Sequence, residues 1–252
     1  MSNQRKYPLS QVKILTMRSG GVCAFSNCHK ELVVSATPTD EVKQISTIAH
    51  IVGHSDDGPR GNPGFPRDQL DTYENWILLC PTCHLVVDSQ SNTYTVAKLK
   101  TIKLEHENWV RSSLAAEMRK VGFFELEIII KDISSPPDMP AEDFTVTAPR
   151  EKMVRNQLSN QIGQLILMGM IRTREVSNYL QKMSTFDHDF SERLKSGFIT
   201  AYRRFRNEGL VDDALFEAMH EFASGGSKDI KWQAAGLAVL VYLFERCEVF
   251  EK

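Results

Sequence analysis

The 252-residue chain lacks a marked charge of either sign: 30 Lys and Arg face 32 Asp and Glu, a formal net charge of −2. Bulk charge therefore predicts no polyanionic partner, and any basic surface must be local. Residues 1–120 hold 14 basic and 12 acidic side chains, and the remainder holds 16 and 20. The chain also lacks a long apolar run. Its most apolar late stretch, Ala234 to Phe244, is too short to span a bilayer and reads as a buried core helix. The opening Met1-Ser-Asn-Gln-Arg-Lys-Tyr-Pro8 has no apolar centre of the signal-peptide kind. The expected compartment is therefore the cytoplasm, with no membrane partner. The second half has no Gly-rich phosphate loop, which argues against an ATP site there. Cysteine is scarce, five in all. Disulfides are rare in a reducing compartment, so the cysteines need another explanation. Against these absences, 42% hydrophobic and 25% charged residues are the composition of a globular protein able to bury a core.

Four of the cysteines form two pairs, Cys23/Cys28 and Cys80/Cys83. The second is a Cys-x-x-Cys knuckle, a spacing that lets two thiolates bind one ion without strain. Taken alone it is equally a redox motif or a pair of buried thiols. Two such pairs flanking a histidine-bearing segment point instead to a tetrahedral structural zinc. Four thiolates leave no open position on the ion, so this zinc would hold a fold and do no chemistry. Cys247 stands alone in the last helical stretch and reads as an ordinary core residue.

The spacing of apolar and breaker residues predicts a short helix over 9–18, ended by Ser19-Gly20-Gly21. It predicts a strand near Leu32 to Val34 and a second one within Ile45 to Val52, where β-branched residues cluster. Asp56 to Pro66 is rich in Gly and Pro and must be loop. Asn75 to Leu79 is short and apolar, and Pro81 suits the first turn of a helix that carries Cys83 and His84. Val96 to Lys120 is helical. Leu126, Ile128 and Ile130 look like a strand, and Ser134 to Pro140 with its paired prolines is an extended spacer. Helices are expected near 151–170, 173–183, 188–207, 211–223 and 229–250.

Between and after the cysteine pairs lie Ala49-His50-Ile51, Gly58-Pro-Arg60 and Asn75-Trp-Ile-Leu-Leu-Cys-Pro-Thr-Cys-His84, with Asp88 beyond. Together with Cys23-Ala-Phe-Ser-Asn-Cys28, this order resembles the HNH endonuclease family over about residues 15–110. The resemblance implies a ββα-metal fold around one catalytic divalent ion, Mg²⁺ or another. It implies His50 as general base, an imidazole whose proton affinity suits the task. Asn75 would hold the loop and orient His50 through an amide hydrogen bond, and His84 would ligate the ion. Many such sites carry Asp immediately before the base histidine, and here that position is Ala49. Either His54 or Asp88 substitutes, or His84 works with water and phosphate oxygens, or the site is impaired. Arg60, Arg67, Lys43, Lys98, Lys100 and Lys103 are candidates for phosphate contact, the interaction that supplies most non-specific DNA affinity. His106 reads as a structural or supporting residue.

The expected architecture is α+β: a small zinc-stapled ββα-metal (HNH) domain over 1–120, a strand and Pro-rich linker over 121–150, and an all-α partner-binding domain over 151–252. The ending Ala234-Ala-Gly-Leu-Ala-Val-Leu-Val-Tyr-Leu-Phe-Glu-Arg-Cys-Glu-Val-Phe-Glu looks like the C-terminal domain of effectors in bacterial ABC-three-component defence systems. That resemblance implies docking onto an ATPase-containing defence complex. The expected function is cleavage of DNA, with RNA left open as substrate and a homodimer as a possible assembly. The alternative is a catalytically inactive zinc-containing protein that binds nucleic acid or another protein.

Overall fold

The computed structural model describes residues 5–34, 37–41, 43–133, 149–246 and 249–250. The spacer expected at 134–140 and Cys247 lie outside them. Among the described residues the fold is α+β, rich in helix, with two small antiparallel sheets. The chain divides into two compact units, Met1–Arg111 and Ser112–Lys252.

The first unit begins with helix α1, Leu9–Arg18. Gly20 and Gly21 follow it at φ 59° and 71°, left-handed backbone that turns the chain off the helix. Strands β1, Val33–Val34, and β2, Lys43–Gln44, form one sheet. Strands β3, Thr47–His50, and β4, Trp76–Leu79, form the other, with His50 opposite Trp76 and Ala49 opposite Ile77. Helix α2, Pro81–Ser89, follows β4 after one residue, with Pro81 in its first turn as its fixed φ favours. Every residue of β4 is buried. Both α1 and α2 pack on this strand, which explains why Trp-Ile-Leu-Leu shows no alternation. Leu15, Leu32, Ala49, Ile51, Val87 and Leu99 join it in one core. Helix α3, Val96–Met118, begins in this unit and ends in the second.

In the second unit the expected strand at 123–133 is instead helix α4, Phe123–Ile133. Its buried residues are Leu126, Ile129, Ile130 and Ile133, at helical and not alternate spacing. Glu125 accepts the Gly122 N–H at 3.0 Å and satisfies a donor that the first turn leaves free. The single helix expected over 151–170 is two, α5, Pro149–Arg155, and α6, Asn160–Met170. Gln157 at φ 52° breaks the chain between them, and Ser159 caps α6 by accepting the Ile162 N–H. Helices α7, Thr173–Phe186, α8, Phe190–Asn207, α9, Asp212–Ala223, and α10, Ile230–Arg246, follow. Helix α10 is buried without interruption from Gln233 to Val241, packed by α4, α6, α7 and α9. A helix apolar all round must be central, as this one is. Among the described residues, no helix is long and apolar enough to cross a membrane.

Candidate functional site

The four paired cysteines meet. Sγ atoms of Cys23, Cys28, Cys80 and Cys83 all lie within 4.8 Å of one another. Cys28 and Cys80 are 3.9 Å apart, and the edge of a zinc–thiolate tetrahedron is about 3.8 Å for a 2.3 Å bond. The donor set and its spacing therefore suit a metal ion such as zinc. Each pair is built by a tight turn. In the first, Phe25 O accepts the N–H groups of Cys28 and His29, and His29 takes φ 42°. In the second, Cys80 is the N-cap of α2 and its sulfur accepts the Cys83 N–H at 3.4 Å. Burial pushes the Cys23 thiol up to about 11 and Cys83 well above its ordinary value. Burial also raises Cys80, but hydrogen bonds from Cys83 and the other thiols outweigh it and leave Cys80 below the usual range. Three further thiolates beside it need a cation to stay ionised together.

A second constellation lies at the His50 end of β3. His50, His54, His84, Asp88, Arg5 and Arg60 line one cleft. Thus the two histidines assigned to base and metal ligand face a shared space, brought there by β3 and the first turn of α2. His50 is buried. Its Nε2 lies 2.9 Å from Asp71 Oδ1, and Trp76 Nε1–H points at the same nitrogen from 3.1 Å. Burial pulls the His50 pKa below its ordinary value, against the opposing pull of Asp71. His84 Nε2 is 3.5 Å from Asp88 Oδ2. His54 Nε2 is 3.9 Å from Asp71 Oδ2. Of the two substitutes for a ligand at Ala49, Asp88 therefore sits beside His84, whereas His54 sits beside Asp71. Among the described residues, the four cysteines are the single group of three or more side chains placed to share a metal ion.

Three sequence expectations change. The Asn75 amide does not reach the His50 ring. Its Oδ1 accepts the Val52 N–H at 2.8 Å, and its Nδ2 donates to Val52 O and Leu70 O at 3.1 and 3.0 Å. It fixes the chain just after His50 by backbone bonds alone. Arg60 is not free for phosphate. Its guanidinium donates to Ile51 O, Val87 O and His50 O and to Asp88 Oδ1 at 2.6 Å, with only 4% of the side chain exposed. Lys103 is likewise spent on Tyr73 O and Trp76 O, over the Tyr73 ring, and burial draws its pKa down to about 8. Arg67 pairs with Asp56, while Lys43, Lys98 and Lys100 are exposed. His106 is buried, with Nε2 at 3.0 Å from Ser19 O and its ring stacked near Trp109. The residue that sequence reasoning missed is Asp71. No spacing ties it to His50, and only the pairing of β3 with β4 returns it there.

No family model matches the chain, and no curated protein matches it.

Proposed function

We propose that the chain is a metal-dependent HNH endonuclease that hydrolyses DNA phosphodiester bonds. The observation that carries this reading is the convergence of His50 and His84 on one cleft beside a four-cysteine cluster. In this reading the cysteines hold a structural zinc that fixes the end of β4 and the start of α2, and so fixes His84. His50 takes the proton of the attacking water. Its burial keeps it neutral at working pH, the state in which it accepts a proton. His84, with Asp88, would hold a divalent ion, which when bound supplies Lewis-acid stabilisation of phosphate charge. Asn75 and Arg60 keep the loop between β3 and β4 closed, so that His50 holds its place.

Plasmid incubated with the full chain and Mg²⁺ or Mn²⁺ tests this directly. Relaxed and linear products that vanish for His50→Ala are expected. Cleavage that persists in His50→Ala removes His50 from the role of base.

One observation favours a second reading. Ala49 is fully buried and offers no ligand, and His84 and Asp88 are only two side chains. A protein that grips nucleic acid without cutting it would shift DNA in a gel under the same conditions and leave it intact. For the second unit, the proposal is docking onto a protein partner, an ATPase-containing defence complex. Failure of residues 150–252 to recover any product of the native operon counts against it.

A further inference from the structure

Asp71 is tied down on both oxygens. Oδ1 faces His50 Nε2 at 2.9 Å, and Oδ2 accepts the Lys6 backbone N–H at 2.7 Å. His50 Nε2 is contested, because Trp76 Nε1–H approaches it at 3.1 Å. A neutral imidazole carries one proton, so this nitrogen either donates to Asp71 or accepts from Trp76. If it accepts from Trp76, its lone pair must face the carboxylate at hydrogen-bond distance. If it donates to Asp71, the bond is charge-assisted and roughly twice as strong as a neutral one. The carboxylate wins. Among the described residues no hydrogen-bond partner is placed on Nδ1 of His50, and the ring lines the cleft.

We propose that Asp71 is the positioning residue of this site: it holds the His50 proton on Nε2 and so presents Nδ1 as the atom that accepts a proton. For catalysis this rests on the nuclease reading above, whereas the tautomer itself does not. The titratable groups that act on the ring are Asp71, Arg5 and His54. Asp71→Asn tests the assignment with almost no change of shape. An amide has one oxygen. If that oxygen keeps the Lys6 N–H, its NH₂ faces His50 and forces Nε2 to accept, which moves the proton to Nδ1.

The readout is the ¹⁵N spectrum of histidine-labelled full-length protein at pH 8, with His50 assigned by loss of its signals in His50→Gln. The wild type should show an Nε2–H, Nδ1-unprotonated ring, and Asp71→Asn the reverse. Plasmid cleavage should fall by about 10⁴, the size of effect a carboxylate-to-amide swap has behind a base histidine. Because the first measurement uses wild type, it stands even if the variant folds poorly. A wild-type ring protonated on Nδ1 overturns the proposal, and so does a variant ring still protonated on Nε2. A tautomer that switches as expected in a protein that never cuts DNA leaves the role of Asp71 standing and removes the nuclease reading.

Discussion

The two units differ in how their interiors are assembled: the first packs a small apolar core whose separate segments are tied by polar side chains, and the second packs apolar helices on a central one. The first has short strands around one apolar core, and polar side chains tie its segments together: Asn75 to Val52 and Leu70, Arg60 to three carbonyls and Lys103 to Tyr73 and Trp76, with the four cysteines gathered in one cluster. The second is built on apolar helices and holds buried polar pairs of its own, Lys152 on Phe244 O and His220 beside Gln233 O. Helix α10 is buried along most of its length, and its Phe244 packs ring against ring with Phe216 and Phe250. Burial of apolar surface is tolerant of small rearrangement, whereas a matched polar group is not. The cleft lined by His50 and His84 lies in the first unit, where Asn75 and Arg60 tie down the loop between β3 and β4.

The sharpest way to break the comparison is to disrupt the four-cysteine cluster. Structural zinc supplies on the order of 10–16 kcal/mol of binding free energy, as much as a whole domain's stability. Cys80→Ser, or chelation of the wild type, should unfold the first unit and leave the second. Hydrogen exchange reads this by segment: fast exchange is expected over 45–90 and retained protection over 230–246. Protection lost equally in both segments would show that the cysteine cluster holds more than the first unit.

A pair of single substitutions sharpens it further. Phe244→Ala should cost the second unit about 4 kcal/mol through lost burial and a cavity, and Phe244→Leu should recover most of that. Asn75→Ala should cost the first unit about 3 kcal/mol by stranding a buried N–H and two carbonyls. Here Asn75→Leu should recover nothing, since volume is not what is missing. Urea titrations of the four variants decide it. A leucine that rescues position 75 as well as position 244 would erase the distinction between the units.

The same contrast governs what could be read in the sequence. The cysteine pairs, Pro81 at the start of α2 and the buried character of Ala234 to Phe244 were legible because each is a local pattern with one physical cause. Residues Phe123–Ile133 were not. Their β-branched content suggested a strand, but Leu126, Ile129, Ile130 and Ile133 also mark one helical face, and the surrounding helices decide between them. Arg60 and Lys103 looked like surface cations because composition alone does not show that carbonyls of distant segments surround them. Asp71 was invisible for the same reason: its meaning comes from a partner 21 residues away.

Acid weakens both units, and the second unit's share can be isolated at one buried histidine. His220 in α9 is 3% exposed, and its Nε2 lies 2.8 Å from Gln233 O. Burial pulls its pKa to about 4, against the Gln233 carbonyl and Glu221, with Lys228 adding to the fall. In the unfolded chain a histidine titrates near 6.5. The unfolded state therefore binds the proton first, and stability present above pH 6.5 is lost as pH falls through 4. By pH 5 the second unit should have lost about 2 kcal/mol from this residue, at 1.36 kcal/mol for each tenfold in proton affinity. Burial lowers His50 and His106 in the first unit as well, so both units weaken in the same direction. His220→Gln keeps an N–H able to reach Gln233 O and abolishes only the second unit's share. Exchange-detected urea midpoints for 212–246 at pH 7.5 and 5 should fall in the wild type and fall clearly less in the variant. Equal falls would assign the acid response of the second unit to its carboxylates and leave its buried histidine without a part in it.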